Sequence, residues 1–109
     1  MKRGEVWWVE FDPAVGSEIR KTRPAVIVSN DVANRYMARL QVVPLSSNIE
    51  HIYPSETIIT LNRNKSKVMA DQIMTADKQR LKAMLGKLTQ ADMRAVETVI
   101  KIQLGMSIS

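Results

Sequence analysis

The 109-residue chain contains no cysteine, which excludes disulfide staples and thiolate metal sites and fits a cytoplasmic protein. It contains one histidine, His51, so a two-histidine metal site cannot be built from it. No acidic cluster has the spacing of a two-metal nuclease. There is neither a Gly-x-Ser-x-Gly nucleophile elbow nor a phosphate-cradling glycine loop. No segment approaches the run of about 20 apolar residues that spans a bilayer, so no membrane association is expected. Met1-Lys2-Arg3-Gly4-Glu5 leads straight into a strand-like stretch, and no signal peptide is read there. An enzyme built from this inventory would work with guanidinium, carboxylate and hydroxyl groups, without metal or cofactor.

What is present suits one domain over residues 1–109. Apolar residues make up 45% and charged residues 25%, as in ordinary globular proteins. The core of so short a chain is modest, and homo-oligomerisation is an easy way to add buried area. Lys and Arg outnumber Asp and Glu by 16 to 11, giving a formal net charge of +5. That balance favours polyanionic partners such as nucleic acid.

Glu5 to Phe11 is dense in Val, Trp and Phe and reads as a strand buried on both faces, ended by Asp12-Pro13. A loop from Ala14 to Thr22 carries Gly16, Glu18, Arg20 and Lys21. A second strand is expected over Pro24–Val28, with Ser29-Asn30-Asp31 as the turn after it. Arg39–Leu45 reads as a third strand, where Pro44 suggests a bulge or an edge. Ser46 to Ser55 is a polar loop, Glu56–Leu61 a fourth strand, and Asn62-Arg63-Asn64-Lys65 a basic turn. Lys67–Met74 is expected to form one or two short strands. Thr75 is read as the N-cap of a short helix to about Leu81, and Met84–Leu88 as a further strand. The last element is a helix capped by Thr89, with Met93, Val96, Ile100 and Leu104 at helical spacing and Gly105 suited to the position after its C-cap. Short strands, a short helix and a terminal helix define a small α+β barrel.

Cleavage of RNA is a reaction that arginine, carboxylates and hydroxyls can carry out, because the ribose 2′-OH attacks its own phosphate. The protein must help remove that proton, stabilise the charged phosphorane and protonate the leaving 5′ oxygen. Each well-placed proton transfer contributes about 10²- to 10⁴-fold. A guanidinium binds phosphate oxygens as a fork and stays charged. Arg23, between the charged loop and a buried strand, has a fixed backbone and a side chain that can face a cleft. On composition alone, a surface salt bridge is the commoner fate of such an arginine. Ser46 and Ser47 stand at a strand end, where both site residues and plain turns occur. Asp71-Gln72 sits in an apolar stretch, where a buried carboxylate needs a partner and serves structure as readily as catalysis. Trp7 and Trp8 are candidates for base stacking, with at least one expected in the core. His51 is a candidate general base, although alone in a polar loop a histidine is more often an exposed bystander.

The sequence closely resembles the MazF/PemK (Kid) toxins of bacterial toxin–antitoxin pairs. The resemblance begins with Arg3-Gly4-Glu5-Val6-Trp7-Trp8-Val9 and Phe11-Asp12-Pro13, and runs through Gly16-Ser17-Glu18 and Arg23-Pro24-Ala25-Val26-Ile27-Val28-Ser29-Asn30-Asp31. It resumes at Val43-Pro44-Leu45-Ser46-Ser47, Ala70-Asp71-Gln72 and Asp77-Lys78-Gln79-Arg80-Leu81. Each segment is weak, and the ordered set is specific. The resemblance implies an SH3-like barrel with a C-terminal helix, usually a homodimer. It implies sequence-specific, metal-independent cleavage of single-stranded RNA to a 2′,3′-cyclic phosphate and a 5′-OH. It also implies a cognate MazE/PemI-like antitoxin whose acidic segment covers the RNA groove, and operator DNA bound mainly through the antitoxin.

Residue by residue, the family's catalytic Arg before Pro falls on Arg23, its hydroxyl residue on Ser46, its loop Glu on Glu18 and the Asp of its Asp-Gln motif on Asp71. Arg20, Lys21, Ser47 and Asn48 are then expected to contact the RNA backbone or read bases. Where some members carry an Arg two residues before that Asp, this chain has Met69. Where others have a His before the catalytic Arg, it has Thr22. General base and general acid are therefore unassigned. Two rivals differ in class. One is a non-enzymatic gyrase poison of the CcdB type on the same barrel, whose C-terminal Trp-Gly-Ile this chain lacks, ending Gly105-Met106-Ser107-Ile108-Ser109. The other is a nucleic-acid-binding module that does not cleave.

Overall fold

A computed structural model describes residues 1–11 and 22–108. Among these residues, seven strands form one antiparallel, curled sheet: β1 (Glu5–Glu10), β2 (Thr22–Ile27), β3 (Arg39–Ser46), β4 (Glu56–Leu61), β5 (Asn64–Met69), β6 (Met74–Asp77) and β7 (Leu81–Lys87). Two helices join them, α1 (Asp31–Tyr36) and α2 (Gln90–Gln103). The strand order is β4-β5-β3-β2-β1-β7, with β6 alongside the first half of β3. The α+β barrel-like expectation holds. Among the described residues, no helix is long and apolar enough to cross a membrane.

Val6 and Val9 of β1, and Val42 to Leu45 of β3, are buried, with successive residues facing the two sides of the sheet. One face carries Val6, Val26, Val43, Leu45, Ile59 and Val68, covered by Met93 and Val96 of α2. The other carries Val9, Ala25, Ile27, Leu40 and Val42, with Ala76 and Leu81. Thr89 Oγ1 caps α2 by accepting from Asp92 N at 3.1 Å. Gly105, at φ 70°, closes it, with Gly105 N donating to Ile102 O at 3.2 Å and Met106 N to Lys101 O at 2.8 Å. Arg3 ties α2 to the sheet: Nε donates to Val28 O at 3.1 Å and the guanidinium pairs with Glu97 at 3.0 Å.

The hairpin β4–β5 turns on Asn62 and Arg63 alone, both at positive φ (50° and 68°), as a two-residue turn matched to sheet twist requires. That turn reaches the far edge of the sheet, where Asn62 Nδ2 donates to Leu85 O at 3.0 Å. A Cβ on Gly86 would lie 2.9 Å from Leu61 Cδ1, so glycine permits the close approach of β4 to β7.

Several expectations need correction. Thr75 does not cap a helix: it lies within β6, pairs with Gln41, and its hydroxyl accepts from Gln41 Nε2 at 3.0 Å. The short helical piece is a 3₁₀ turn over Lys78–Arg80, capped by Asp77, whose carboxylate accepts from Gln79 N at 2.8 Å. Ser29-Asn30-Asp31 is not simply a turn but the start of α1, with Asn30 as its N-cap. Asn34, the buried polar residue of α1, hydrogen-bonds the Ser29 hydroxyl and donates to Ser29 O at 2.9 Å and Asp31 Oδ1 at 3.2 Å. Six residues are too few for apolar periodicity to announce a helix; side-chain bonding to the backbone holds it instead. Pro44 marks neither an edge nor a bulge against β2. It falls where the outer edge of β3 changes partner, from β6 (last pair Val42↔Met74) to β5 (first pair Leu45↔Val68). The last strand starts at Leu81 rather than Met84, and β5 starts at Asn64.

Candidate active site at the barrel mouth

The two-faced sheet ends in a polar row. On the face of Val9, β2 reads Ile27, Ala25, Arg23 and β3 reads Leu40, Val42, Pro44, Ser46. Val9 pairs with Arg23, Ala25 with Pro44, and Ser46 with Lys67. Continuing the β2–β3 register two steps beyond Ala25↔Pro44 sets Arg23 opposite Ser46. Guanidinium, hydroxyl and ammonium thus follow one another across three strands, where the apolar cluster of that face stops.

A cavity of about 370 Å³ opens at these strand ends. Arg23, Ser46 and Ser47 line it, together with Trp8, Pro24, Leu45 and Ser66. The cavity therefore takes its wall from both faces of the sheet. Arg23 is half-buried, and among the described residues its guanidinium has no ion-pair or hydrogen-bond partner. A charged fork held on a strand, with no donor spent among the described residues, is suited to an anion of matching geometry. Ser46 Oγ accepts from Asn48 N at 3.2 Å, which fixes the oxygen, and the hydroxyl proton has no acceptor among the described residues. Asn48 Oδ1 in turn accepts from Glu50 N at 3.3 Å, so that side chain braces its own loop and keeps its amide donors.

The adjacent tryptophans separate cleanly. Trp7 packs on the Val9 cluster and its indole N–H donates to Glu5 at 2.9 Å. Burial alone would raise the Glu5 pKa; hydrogen bonds from Trp7 and from Lys2 N outweigh it and hold the carboxyl below its ordinary value. Trp8 is 37% exposed and forms part of the cavity wall, the position from which an indole can stack on a base.

The structure does not bring every sequence-selected residue together. Asp71 lies exposed in the 3₁₀ turn Ala70–Gln72 after β5 and is not among the cavity-lining residues. His51 is exposed in the loop after β3, and its carbonyl is held by Lys67. Glu18, Arg20 and Lys21, with the loop that carries them, lie outside the described residues. Ser66 escaped the sequence reading. The signal that could have found it is its place two residues before Val68, on the same face of a strand beside Leu45.

Over residues 2–104 the chain matches the family described as PemK-like, MazF-like toxin of type II toxin–antitoxin system. It is 36% identical, over 97% of its length and 98% of the relative's, to endoribonuclease MazF9 of Mycobacterium tuberculosis. It is 33% identical, over 97% of its length and 92% of the relative's, to endoribonuclease MazF of Staphylococcus saprophyticus. Among solved structures it resembles an endoribonuclease in complex with its cognate antitoxin from mycobacterial species, with a TM-score of 0.82 and 27% identity over 100% of this chain and 99% of that one. It likewise resembles MazF from Deinococcus radiodurans, with a TM-score of 0.81 and 26% identity over 97% of each chain. The chain belongs to the PemK/MazF family of type II toxins.

Proposed function

We propose that this protein is an endoribonuclease toxin that cuts single-stranded RNA at the barrel mouth by attack of the ribose 2′-OH on its own phosphate. The observation that carries the reading is the half-buried Arg23 guanidinium, with no partner among the described residues, on the same polar row as Ser46, within a family whose relatives are endoribonucleases. In the reaction the 2′ oxygen bonds to phosphorus and gives up its proton, the bond from phosphorus to the 5′ oxygen breaks, and that oxygen takes a proton. The products are a 2′,3′-cyclic phosphate and a 5′-OH. Arg23 neutralises the non-bridging oxygens as charge builds on the phosphorane, and the Ser46 hydroxyl donates to the same group. Glu18 and Asp71 are the carboxylates we consider for proton transfer, separable by the pH profiles of Glu18→Gln and Asp71→Asn.

Ser47 and Asn48 at the rim, with Arg20 and Lys21 from the preceding loop, would contact the backbone or read bases, and sequence preference would reside in these loops. A MazE/PemI-like antitoxin is the expected inhibitor, in keeping with the antitoxin-bound relatives. The reading extends to a cytoplasmic homodimer that reaches operator DNA mainly through that antitoxin. Nothing specific in the structure favours a gyrase poison or a non-cleaving binder over it.

The test is cleavage of a long single-stranded RNA in EDTA with the new 5′ ends mapped. Discrete cuts bearing 5′-OH ends are expected, and a substrate with a single 2′-deoxy nucleotide at the cut site should resist. Intact RNA, or equal cutting of the deoxy substrate, would overturn the mechanism.

A further inference from the structure

Lys67 extends the Arg23–Ser46 row by one strand, pairing with Ser46 on one side and Ile58 on the other. Lysines usually send the ammonium to water along an apolar stem. This side chain is only 11% exposed and its partner Glu56 only 6%. Lys67 Nζ donates to Glu56 Oε1 at 3.2 Å and to His51 O at 3.1 Å, and lies 5.7 Å from the centre of the Tyr53 ring. The same Glu56 oxygen accepts from Tyr53 N at 3.0 Å, and Glu56 N donates to Tyr53 O at 2.9 Å. The pair therefore grips the backbone of loop 47–55, which has no helix or strand of its own, at His51 and Tyr53. The other end of that loop is fixed by Ser46 and Asn48, as described above.

Stability alone gives little reason for such a pair. Desolvation offsets most of the attraction between two buried charges, and apolar side chains of similar volume are often as stable. What the charges add is direction: they select one path for the loop. We propose that Lys67 and Glu56 form a latch that holds loop 47–55 in its RNA-receiving arrangement, so that Ser47 and Asn48 engage substrate without an ordering cost. Both are positioning residues, and the inference rests on the reading of the mouth as an RNA-cleaving site. An ordered rim binds its ligand more tightly than one that must be ordered on binding.

Three variants of the full chain test this: Lys67→Met, Lys67→Arg and the double variant Lys67→Met/Glu56→Leu. Lys67→Met strands the Glu56 carboxylate, which turns to water and releases Tyr53 N. Amide exchange at Tyr53 should then quicken by about tenfold, the loss of one charge-assisted hydrogen bond. KM for a short RNA should rise by a similar factor of about ten, with a smaller change in kcat, and cuts at secondary sequences should appear. Lys67→Arg should restore most of the selectivity. The double variant should regain the melting temperature while its cuts stay unselective, because nothing then holds His51 O or Tyr53 N. Unchanged Tyr53 exchange in Lys67→Met overturns the latch, as does a double variant that regains selectivity together with stability. Absence of cutting by the unsubstituted protein defeats the reading of the mouth instead, and the Tyr53 exchange still decides the latch.

Discussion

Two arginines sit in two contrasting regions. At the junction of sheet and helix, Arg3 spends its guanidinium on Val28 O and Glu97. At the barrel mouth, Arg23 is half-buried on a strand beside Ser46 and has no such partner among the described residues. The same side chain therefore serves opposite ends. In one region the side chain is taken up by Val28 O and Glu97 and holds two layers together. In the other the fold fixes the backbone, and no donor is taken up among the described residues. On the proposed reading of Arg23, burial and charge do not distinguish the two arginines; the count of donors in use among the described residues does.

The contrast can be broken or sharpened by substitution. The largest effect is expected for Arg23→Lys, which keeps the charge and loses the fork. RNA cleavage should fall on the order of 10²-fold with unchanged melting, and near-normal activity would show that charge alone suffices. Next is Ser46→Ala, which removes one neutral donor from the row. A loss of about tenfold in kcat/KM is expected, equivalent to one hydrogen bond, and no change would remove Ser46 from the mechanism. Arg3→Ala should lower unfolding free energy by about 1–2 kcal/mol in denaturant titrations while the cleavage rate of the folded fraction holds.

The smallest effect is on the acid side. Glu5 is held below its ordinary pKa as described. Asp31 is also held low, by hydrogen bonds from Arg3 N first and Asn34 second. A carboxyl whose folded pKa is depressed contributes stability above its unfolded pKa, and that contribution is lost as pH falls through the folded value. Melting temperature should therefore be flat from neutrality down to the ordinary carboxylate range and decline below it. In Asp31→Asn the decline should be shallower; an identical slope would mean that Asp31 takes no part.

How much of this was legible in sequence depended on whether a feature is local. Thr89 three residues before Asp92 announced the cap of α2, and Gly105 its end, because both signals act within a turn. Glu56–Leu61 was read with its observed bounds, since polar and turn-forming residues frame it. By contrast α1 rests on Asn34 bonding to Ser29 and Asp31, and Thr75 was drawn into β6 by its pairing with Gln41. Tertiary context overrode local preference at both. The site divided in the same way. Arg23 and Ser46 were visible as residues at strand ends, and their placement on one row needed the register of β2 on β3. Ser66 was invisible because its place in the cavity depends on which strand lies beside Ser46, and the Lys67–Glu56 pair because it depends on the register of β4 on β5.

The most direct test of the central claim measures cleavage rate in EDTA and melting temperature on the same preparations of Arg23→Ala and Arg3→Ala. The account predicts a crossed result. Arg23→Ala should melt with the unsubstituted protein and cut RNA slower by about 10²- to 10³-fold, while Arg3→Ala should melt earlier and cut normally once folded. An Arg23→Ala protein that cuts at the normal rate, or one whose lost activity tracks lost stability, would contradict it.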